Sequence, residues 1–318
     1  MADILGAVNS TVVQGFLSAS MRLAIPILLA ALGGVFNEKS GVLNIGMEGM
    51  MIVGSLVGFV TGYFMHSLWL GVLAAALSGI VLGIVLGFFV ITLRADQVVA
   101  GLALSLLCLG VTSLLFRVIF GVGTASPRVN SFVALPIPFL GDVPILGPLL
   151  FRQSPLGYIT YGLVVFSFVV IYRTVWGLNI IATGENPEAA ETLGVNVART
   201  RYLCMMVSGV FCALGGVFLS IDATGLFINN MTAGRGYIAL ALLILGRRHP
   251  FGLMAAALMF GAADALQLRT QILNIGVPFQ FMLMLPYILT MIVLATFVRR
   301  TDNPAALGVH YRHGGEKE

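Results

Sequence analysis

Two acidic residues stand inside long apolar segments, and each has an amide side chain within one helical turn. Asn44 precedes Glu48 by four residues and Asp264 precedes Gln267 by three, so on a helix each pair would share one face. An acidic side chain at the centre of a membrane-spanning helix costs about 2.5 to 3.5 kcal/mol, so it must face protein or water. The two pairs predict either a polar translocation route or buried structural bonds, and for Glu48 we favour the structural bond.

The composition places these residues in an integral membrane protein. Hydrophobic residues make up 58% of the 318 residues and charged residues only 9%, far from the balance of a soluble domain. Apolar runs of about 18 to 25 residues recur, each long enough to cross a hydrocarbon core of roughly 30 Å as a helix. Strands of membrane barrels alternate apolar and polar residues instead. The sequence therefore predicts an all-α, polytopic transmembrane helical bundle that forms a single domain over residues 1–318.

Apolar length and turn residues predict where the membrane segments lie. One segment, 234–246, is too short to cross a membrane and is expected to be a half-helix or a re-entrant segment, which gives about eight to ten membrane segments. The predicted segments are 13–36, 42–64, 68–93, 97–120, 157–175, 202–222, 234–246, 252–268 and 280–298.

Lys and Arg distinguish the two sides of the membrane. With the segments alternating, most basic residues, including Arg247 and Arg248, fall on one side. Basic loops stay in the cytoplasm, which predicts an external N-terminus and a cytoplasmic C-terminal tail at 299–318. The proline-rich segment 121–156 is then external, and the loop 184–201 is cytoplasmic.

The cytoplasmic loop contains its own helix signals. Asn186 is a predicted N-cap, Pro187 takes the first helical position, and Gly194 follows the last. Glu188 and Glu191 lie near the positive end of this helix. A helix of about two turns is unstable alone, since roughly 12 to 15 residues are marginal in water. Something must hold it.

The apolar residues of this helix are few. Ala189, Ala190 and Leu193 form a small patch, suited to insertion into a groove of another protein and flanked by glutamates. We interpret the helix as a docking element for a partner at the cytoplasmic face. The alternative is a capped loop lying on its own bundle.

Four stretches resemble the permease subunits of ATP-binding-cassette importers. They are GVLNIGMEGMM at 41–51, GENPEAAETLGVNVARTRY at 184–202, SGVFCALGGVF at 208–218 and GRGYIALALLILGRRHPFGLMAAALMFGAADALQLRTQ at 234–271. Within that family the chain is similar to the branched-chain amino acid and ribose-type permeases, and to their branch for nucleosides and simple sugars. The resemblance implies the fold of a type II importer permease in the bacterial cytoplasmic membrane.

The resemblance also gives the loop 184–201 a role. In such importers a cytoplasmic coupling helix sits in a cleft of the ATPase and transmits its closure. Carried over to this sequence, the ATPase-coupling residues are Asn186, Pro187, Glu188, Ala189, Ala190, Glu191, Leu193 and Gly194.

The expected partners follow from the same resemblance. They are ABC ATPase subunits, a second permease that is a paralogue or another copy, an external substrate-binding lipoprotein and membrane lipid, but no nucleic acid. The chain lacks the G-x-x-x-x-G-K-[ST] motif of P-loop ATPases, so we expect the partner ATPase to hydrolyse ATP and this chain to bind no cofactor.

The cysteines Cys108, Cys204 and Cys212 all lie in apolar spans and predict neither a disulfide nor a metal site.

The branch implies that the cargo is a nucleoside, which offers hydroxyls and base edges but no charge. Its route would need amides, hydroxyls and aromatic faces, and Asn229 and Asn230 before the short segment join the candidates named first. A simple sugar such as ribose or galactose is the alternative cargo. A self-sufficient secondary transporter is a distant alternative, and it would require functional acids at Glu48 and Asp264. An intramembrane enzyme has no matching catalytic pattern.

Overall fold

Ten α-helices follow one another along the described part of the chain. The computed structural model describes residues 2–121, 127–136, 147, 151–272, 284, 288, 291–292 and 303–311, with side chains from Val13 onward. The helices are α1 (Ala2–Lys39), α2 (Met47–Met65), α3 (Leu68–Gly87), α4 (Gln97–Phe120), α5 (Pro155–Arg173), α6 (Val175–Glu185), α7 (Pro187–Thr192), α8 (Val197–Val217), α9 (Arg235–Leu245) and α10 (Pro250–Ile272).

Seven of the described helices are long and apolar enough to cross a membrane, namely α1 to α5, α8 and α10. The all-α polytopic bundle predicted from the sequence is confirmed. Helix α9 has 11 residues, about 16 Å at 1.5 Å per residue, and agrees with the short segment predicted at 234–246. The predicted segment 280–298 lies outside the described residues, except for 284, 288 and 291–292.

Helix α5 agrees with the span predicted at 157–175, whereas the following helix α6 has no counterpart among the predicted segments. The chain bends at Thr174, whose backbone is extended and whose hydroxyl accepts a hydrogen bond from Gly177 N at 3.1 Å. Arg173 and Thr174 interrupt the apolar residues at this bend, and α6, with 11 residues, is too short to be predicted as a membrane span.

The most central helices are α1 and α8. Within an apolar 18-residue window of each helix, 83% of the residues are buried in α1 and in α8, against 33% in α3 and 28% in α4. The outer faces of α3 and α4 are apolar, as at Leu77, Leu106 and Val118, which are 63%, 69% and 72% exposed. Such faces suit lipid, which is as apolar as leucine.

Small residues bring three helices into close contact. A Cβ atom built at Gly79 of α3 would lie 2.2 Å from the carbonyl oxygen of Gly209 in α8. One built at Gly54 of α2 would lie 2.4 Å from Ala213 Cα. Glycine is therefore required at both positions, because a side chain would push the backbones apart.

The segment between α1 and α2 is not helical, which corrects the predicted segment 42–64. Helix α2 begins at Met47, and residues 40–46 run without helical structure inside the bundle. Their polar backbone is bonded by protein groups, for example Leu43 N by the Gln97 side-chain oxygen at 2.7 Å. Irregular backbone within a membrane protein is tolerated where protein covers it in this way.

The two ends of the bundle differ. Helix α7 and the start of α8 lie at one end. At the other end a π-helical extension of α8 (Phe218–Thr224) leads to Gly225, whose carbonyl accepts a hydrogen bond from Val129 N at 2.8 Å. A two-residue antiparallel pair, β1 (Leu135–Pro136) with β2 (Arg152–Gln153), belongs to the same proline-rich segment. The described part of that segment thus lies opposite α7.

Candidate functional site

Glu48 closes the N-terminus of α9 from within the bundle. Its carboxylate accepts hydrogen bonds from the Thr232 hydroxyl at 2.5 Å, Gly234 N at 2.9 Å and Gly236 N at 2.7 Å. The first N–H groups of a helix lack intrahelical partners and carry the positive end of its dipole, so a carboxylate stabilises them. The residue is only 8% exposed. Glu48 therefore makes the buried structural bond that the sequence left as one of two alternatives.

Asn44 does not share a helix with Glu48, contrary to the predicted pairing on one helical face. The prediction is wrong because α2 begins at Met47, so Asn44 belongs to the irregular segment before it. Its amide nitrogen donates to the Ser208 hydroxyl of α8 at 3.0 Å, and the side chain is 1% exposed. Asn44 thereby links the irregular segment to the central helix α8.

Of the remaining polar candidates, Asp264 lies near the start of α9. Arg235, the first residue of α9, donates to the carbonyl oxygens of Met231 and Thr232, each at 3.2 Å. The guanidinium is also close enough to attract the carboxylate of Asp264 on α10. The structure thus brings the start of α9, with Glu48 behind it, and Asp264 into one polar region.

The other predicted pathway residues lie outside this region. Gln267 is half-buried one turn further along α10. Asn229 and Asn230 are exposed in the turn that precedes α9, and Asn230 takes a left-handed φ of 58°.

Helix α7 has the local structure that its sequence predicts. The Asn186 side-chain oxygen accepts a hydrogen bond from Ala189 N at 3.0 Å, and Pro187 is the first helical residue. Gly194 follows the helix with a left-handed φ of 86°, a conformation that glycine adopts without strain. Asn196 then caps α8 through Arg199 N at 2.8 Å. These short-range bonds define a six-residue helix.

The predicted apolar patch on α7 is divided between two directions. Ala190 is 2% exposed and packs into its own chain, whereas Leu193 is 84% exposed and Ala189 is also exposed. Glu188 is exposed, and Glu191 is half-buried. Ala189 and Leu193 are thus the apolar side chains that α7 presents outward.

A cavity of about 560 Å³ opens beside α7. Its walls combine the π-helical end of α3 (Phe88–Thr92), the α7–α8 connection and residue 311 of the C-terminal tail. Arg94, Glu191 and Arg201 line it together with the apolar side chains of Ile91 and Val195. The outward residues of α7 therefore lie next to a concave surface of mixed polarity.

Two buried arginines fix the same end of the bundle. Arg248, after α9, forms an ion pair with Glu38 near the end of α1, and both side chains are less than 10% exposed, at 7% and 6%. Arg201 of α8 donates from Nε to the Ser40 carbonyl at 3.2 Å. Sequence reasoning missed both contacts, since the Glu38–Arg248 pair joins positions 210 residues apart. An acidic residue beside Lys39 at the end of an apolar segment was the available signal.

The architecture is that of a polytopic helical membrane protein with a short capped helix exposed at one end. Residues 16–297 match the model of the family described as the permease component of the branched-chain amino acid transport system, and the chain belongs to this family. The match covers most of the chain and includes the predicted membrane segments from the second to the eighth.

The similar proteins include permeases named for nucleoside transport and a permease named for glucose transport. The guanosine ABC transporter permease protein NupQ of Bacillus subtilis is 39% identical over 306 residues, covering 93% of this chain and 96% of that protein. The nucleoside ABC transporter permease protein NupC of Lactococcus lactis subsp. cremoris is 33% identical over 90% of this chain and 93% of NupC. TsgC13 of Haloferax volcanii, a permease named for glucose transport, is 36% identical over 91% of this chain and 93% of TsgC13.

Proposed function

We propose that this chain is the membrane-spanning permease subunit of an ATP-driven importer that carries nucleosides across the cytoplasmic membrane. A separate ATPase supplies the energy, an external lipoprotein delivers the nucleoside, and a second permease, a paralogue or another copy, completes the pathway. The similarity to NupQ and NupC over at least nine-tenths of the chain supports the nucleoside cargo.

The structure of helix α7 is the main support for the proposed energy coupling. It has six residues, an N-cap of its own and Leu193 84% exposed beside a concave surface. So short a helix gains little stability from its own hydrogen bonds, and an ATPase groove that receives Ala189 and Leu193 would supply the missing contacts. The coupling segment consists of the residues named from the sequence, Asn186 to Glu191 with Leu193 and Gly194. Within it, Ala190 is buried and supports α7 from inside, and the other residues form the coupling surface.

The proposed orientation places α7 in the cytoplasm. Arg94, Arg201 and Arg248 lie at the α7 end of the bundle, together with residues 303–311 of the tail. The described part of the proline-rich segment lies at the opposite end. A basic end in the cytoplasm agrees with the positive-inside rule and makes the N-terminus external.

The cargo route in this proposal begins at the end of the bundle that bears Asn229 and Asn230 and continues past the polar region at the start of α9. The affinity for the nucleoside resides in the external protein, so the route needs only weak contacts from amides and from Asp264. Glu48 is engaged by α9 and serves the route by holding that helix in place.

Reconstitution tests the function. Proteoliposomes that contain this chain, its companion permease and the cognate ATPase, with ATP inside and binding protein outside, should accumulate radiolabelled guanosine. The same vesicles with non-hydrolysable nucleotide should not. Concentrative uptake by this chain without any ATPase would contradict the proposal and favour a self-sufficient secondary transporter.

A simple sugar is the second candidate cargo, and the similarity to TsgC13 favours it. The machinery and the role of α7 would be unchanged. Isothermal titration of the cognate external protein with guanosine and with glucose separates the two, because that protein supplies the affinity. Binding of glucose alone would transfer the proposal to sugar import.

A further inference from the structure

A segment of the C-terminal tail crosses the α7 end of the bundle as a strap. Residues 303–311, the C-terminal strap, bond to two separate parts of the chain through their backbone. Ala306 N donates to the carbonyl oxygen of Gly184 at the end of α6 at 2.9 Å, and Gly308 N donates to that of Gly41 after α1 at 3.0 Å. The strap therefore joins elements that are far apart in sequence.

Side chains from two more elements anchor the strap. Arg201 Nη1 of α8 donates to the Val309 carbonyl at 3.2 Å, and Arg248 Nη2 donates to the Asn303 side-chain oxygen at 2.8 Å. Both arginines are buried, at 4% and 6% exposure, and each also bonds the segment around the end of α1. The strap is thus tied to buried arginines at this end of the molecule.

The strap ends at α7. The Tyr311 hydroxyl donates a hydrogen bond to the Glu191 carboxylate of α7. Reduced solvation together with the neighbouring Glu191 raises the pKa of Tyr311 to about 12, so the phenol keeps its proton at neutral pH and remains a donor. Tyr311 therefore connects α7 to a strap that is fixed on α1, α6 and α8.

We propose that Tyr311 is a positioning residue for energy coupling, which holds α7 against the strap so that a displacement of α7 reaches the bundle. This inference rests on the proposed function. The physical reason is that only short connections join α7 to α6 before it and to α8 after it. Gly194, with a left-handed φ of 86° and no atom within 4 Å of a built Cβ, gives the connection to α8 room to bend. The bond to the strap restricts that bending.

The experiment compares Tyr311→Phe with the wild type in the complete transporter. Substrate imported per ATP hydrolysed is measured in proteoliposomes, with radiolabelled guanosine and phosphate release. We expect this ratio to fall roughly fivefold, the population shift that loss of one ordinary hydrogen bond produces, since the pair lies at the partly exposed surface. Total ATP hydrolysis and the melting temperature should change little, since a ring of the same shape remains.

The matched control is Val309→Ala, in the same strap. The Val309 side chain is 55% exposed, and its bond to Arg201 uses the backbone carbonyl, so the coupling ratio should stay at the wild-type value. The double variant Tyr311→Phe with Glu191→Ala should be no worse than Glu191→Ala alone, because the two residues share one interaction.

Hydrogen exchange gives a second readout on the full chain in nanodiscs. The amides of residues 188–193 should exchange several-fold faster in Tyr311→Phe than in the wild type, without any ATPase present. If the wild-type transporter works, an unchanged coupling ratio in Tyr311→Phe, or additive effects in the double variant, would overturn the inference alone. Lack of ATP-driven uptake by the wild-type assembly would instead overturn the proposed function and the inference with it.

Discussion

Helix α9 has 11 residues and helix α7 has six, both below the roughly 12 to 15 residues at which an isolated helix becomes marginal in water. The start of α9 is closed by Glu48, a carboxylate 186 residues away from Gly234 in sequence. The start of α7 is closed by Asn186, the residue directly before it. One short helix depends on a distant part of the chain, the other on its own neighbours.

The two helices also differ in how much side-chain packing stabilises them. Around α9, Gly236, Ala239 and Leu243 are buried, so the bundle itself holds the helix. On α7 only Ala190 is buried, and Leu193 is almost fully exposed. Side-chain packing, which supplies most helix stability in proteins, is therefore complete for α9 and incomplete for α7. Helix α9 thus has its support within this chain, and α7 remains the proposed docking element.

The largest effect on stability should come from Glu48→Ala. The change leaves the part-buried N–H group of Gly234 and the buried N–H group of Gly236 without their acceptor. We expect the free energy of unfolding to fall by about 2 to 6 kcal/mol, because each donor left without an acceptor costs about 1 to 3 kcal/mol. Denaturant titration in detergent micelles, followed by tryptophan fluorescence, measures it.

Glu48→Gln is the graded companion of that variant. It keeps one acceptor oxygen and should lose about 1 to 2 kcal/mol. If Glu48→Gln left stability unchanged but abolished proton- or sodium-driven uptake, Glu48 would be a transport residue, and the contrast between the two helices would fail.

A smaller loss is expected for Gly236→Ala, in the first turn of α9. The new Cβ would lie 2.5 Å from Glu48 N and 2.6 Å from Glu48 Cα, so α9 must move away from α2. We expect a cost of about 1 to 3 kcal/mol, as for other overpacked sites, by the same titration. Gly162→Ala on α5, where no atom lies within 4 Å, is the control and should not destabilise the protein. Equal losses at both positions would mean that α9 is not tightly seated.

The smallest effect on stability should come from Leu193→Asp after α7. Because the side chain is 84% exposed, we expect a change within about 0.5 kcal/mol. The affinity for the ATPase, measured by microscale thermophoresis, should nevertheless fall at least tenfold, since the variant places a charge in an apolar contact. Val133→Asp, an exposed valine (78%) at the opposite end, should leave the affinity unchanged. Wild-type affinity in Leu193→Asp would remove α7 from the docking surface.

The same contrast explains what could be predicted from the sequence. The start and end of α7 are specified by Asn186, Pro187 and Gly194, residues within eight positions of one another, and their roles can be read from local chemistry. The spans follow from apolar length. The contacts between side chains of different helices cannot be predicted in this way, because a helix that is apolar on every side does not show which face packs against its neighbours.

The errors have the same physical origin. The pairing of Asn44 with Glu48 assumed a helix through residues 42–46, since that segment is mostly apolar and has no proline. The structure replaces those helical bonds with contacts to Gln97 and Ser208, 54 and 164 residues further along the chain. The ion pair between Glu38 and Arg248 escaped notice for the same reason.

The bond between Glu48 and α9 has a consequence for biosynthesis. At a synthesis rate of about 5 to 20 residues per second, Gly234 leaves the ribosome roughly ten to forty seconds after Glu48. During that interval the nascent chain contains Glu48 in α2 but not yet the N–H groups of α9 that will donate hydrogen bonds to it. The early helices must therefore insert in a way that leaves space for α9, which is synthesised later.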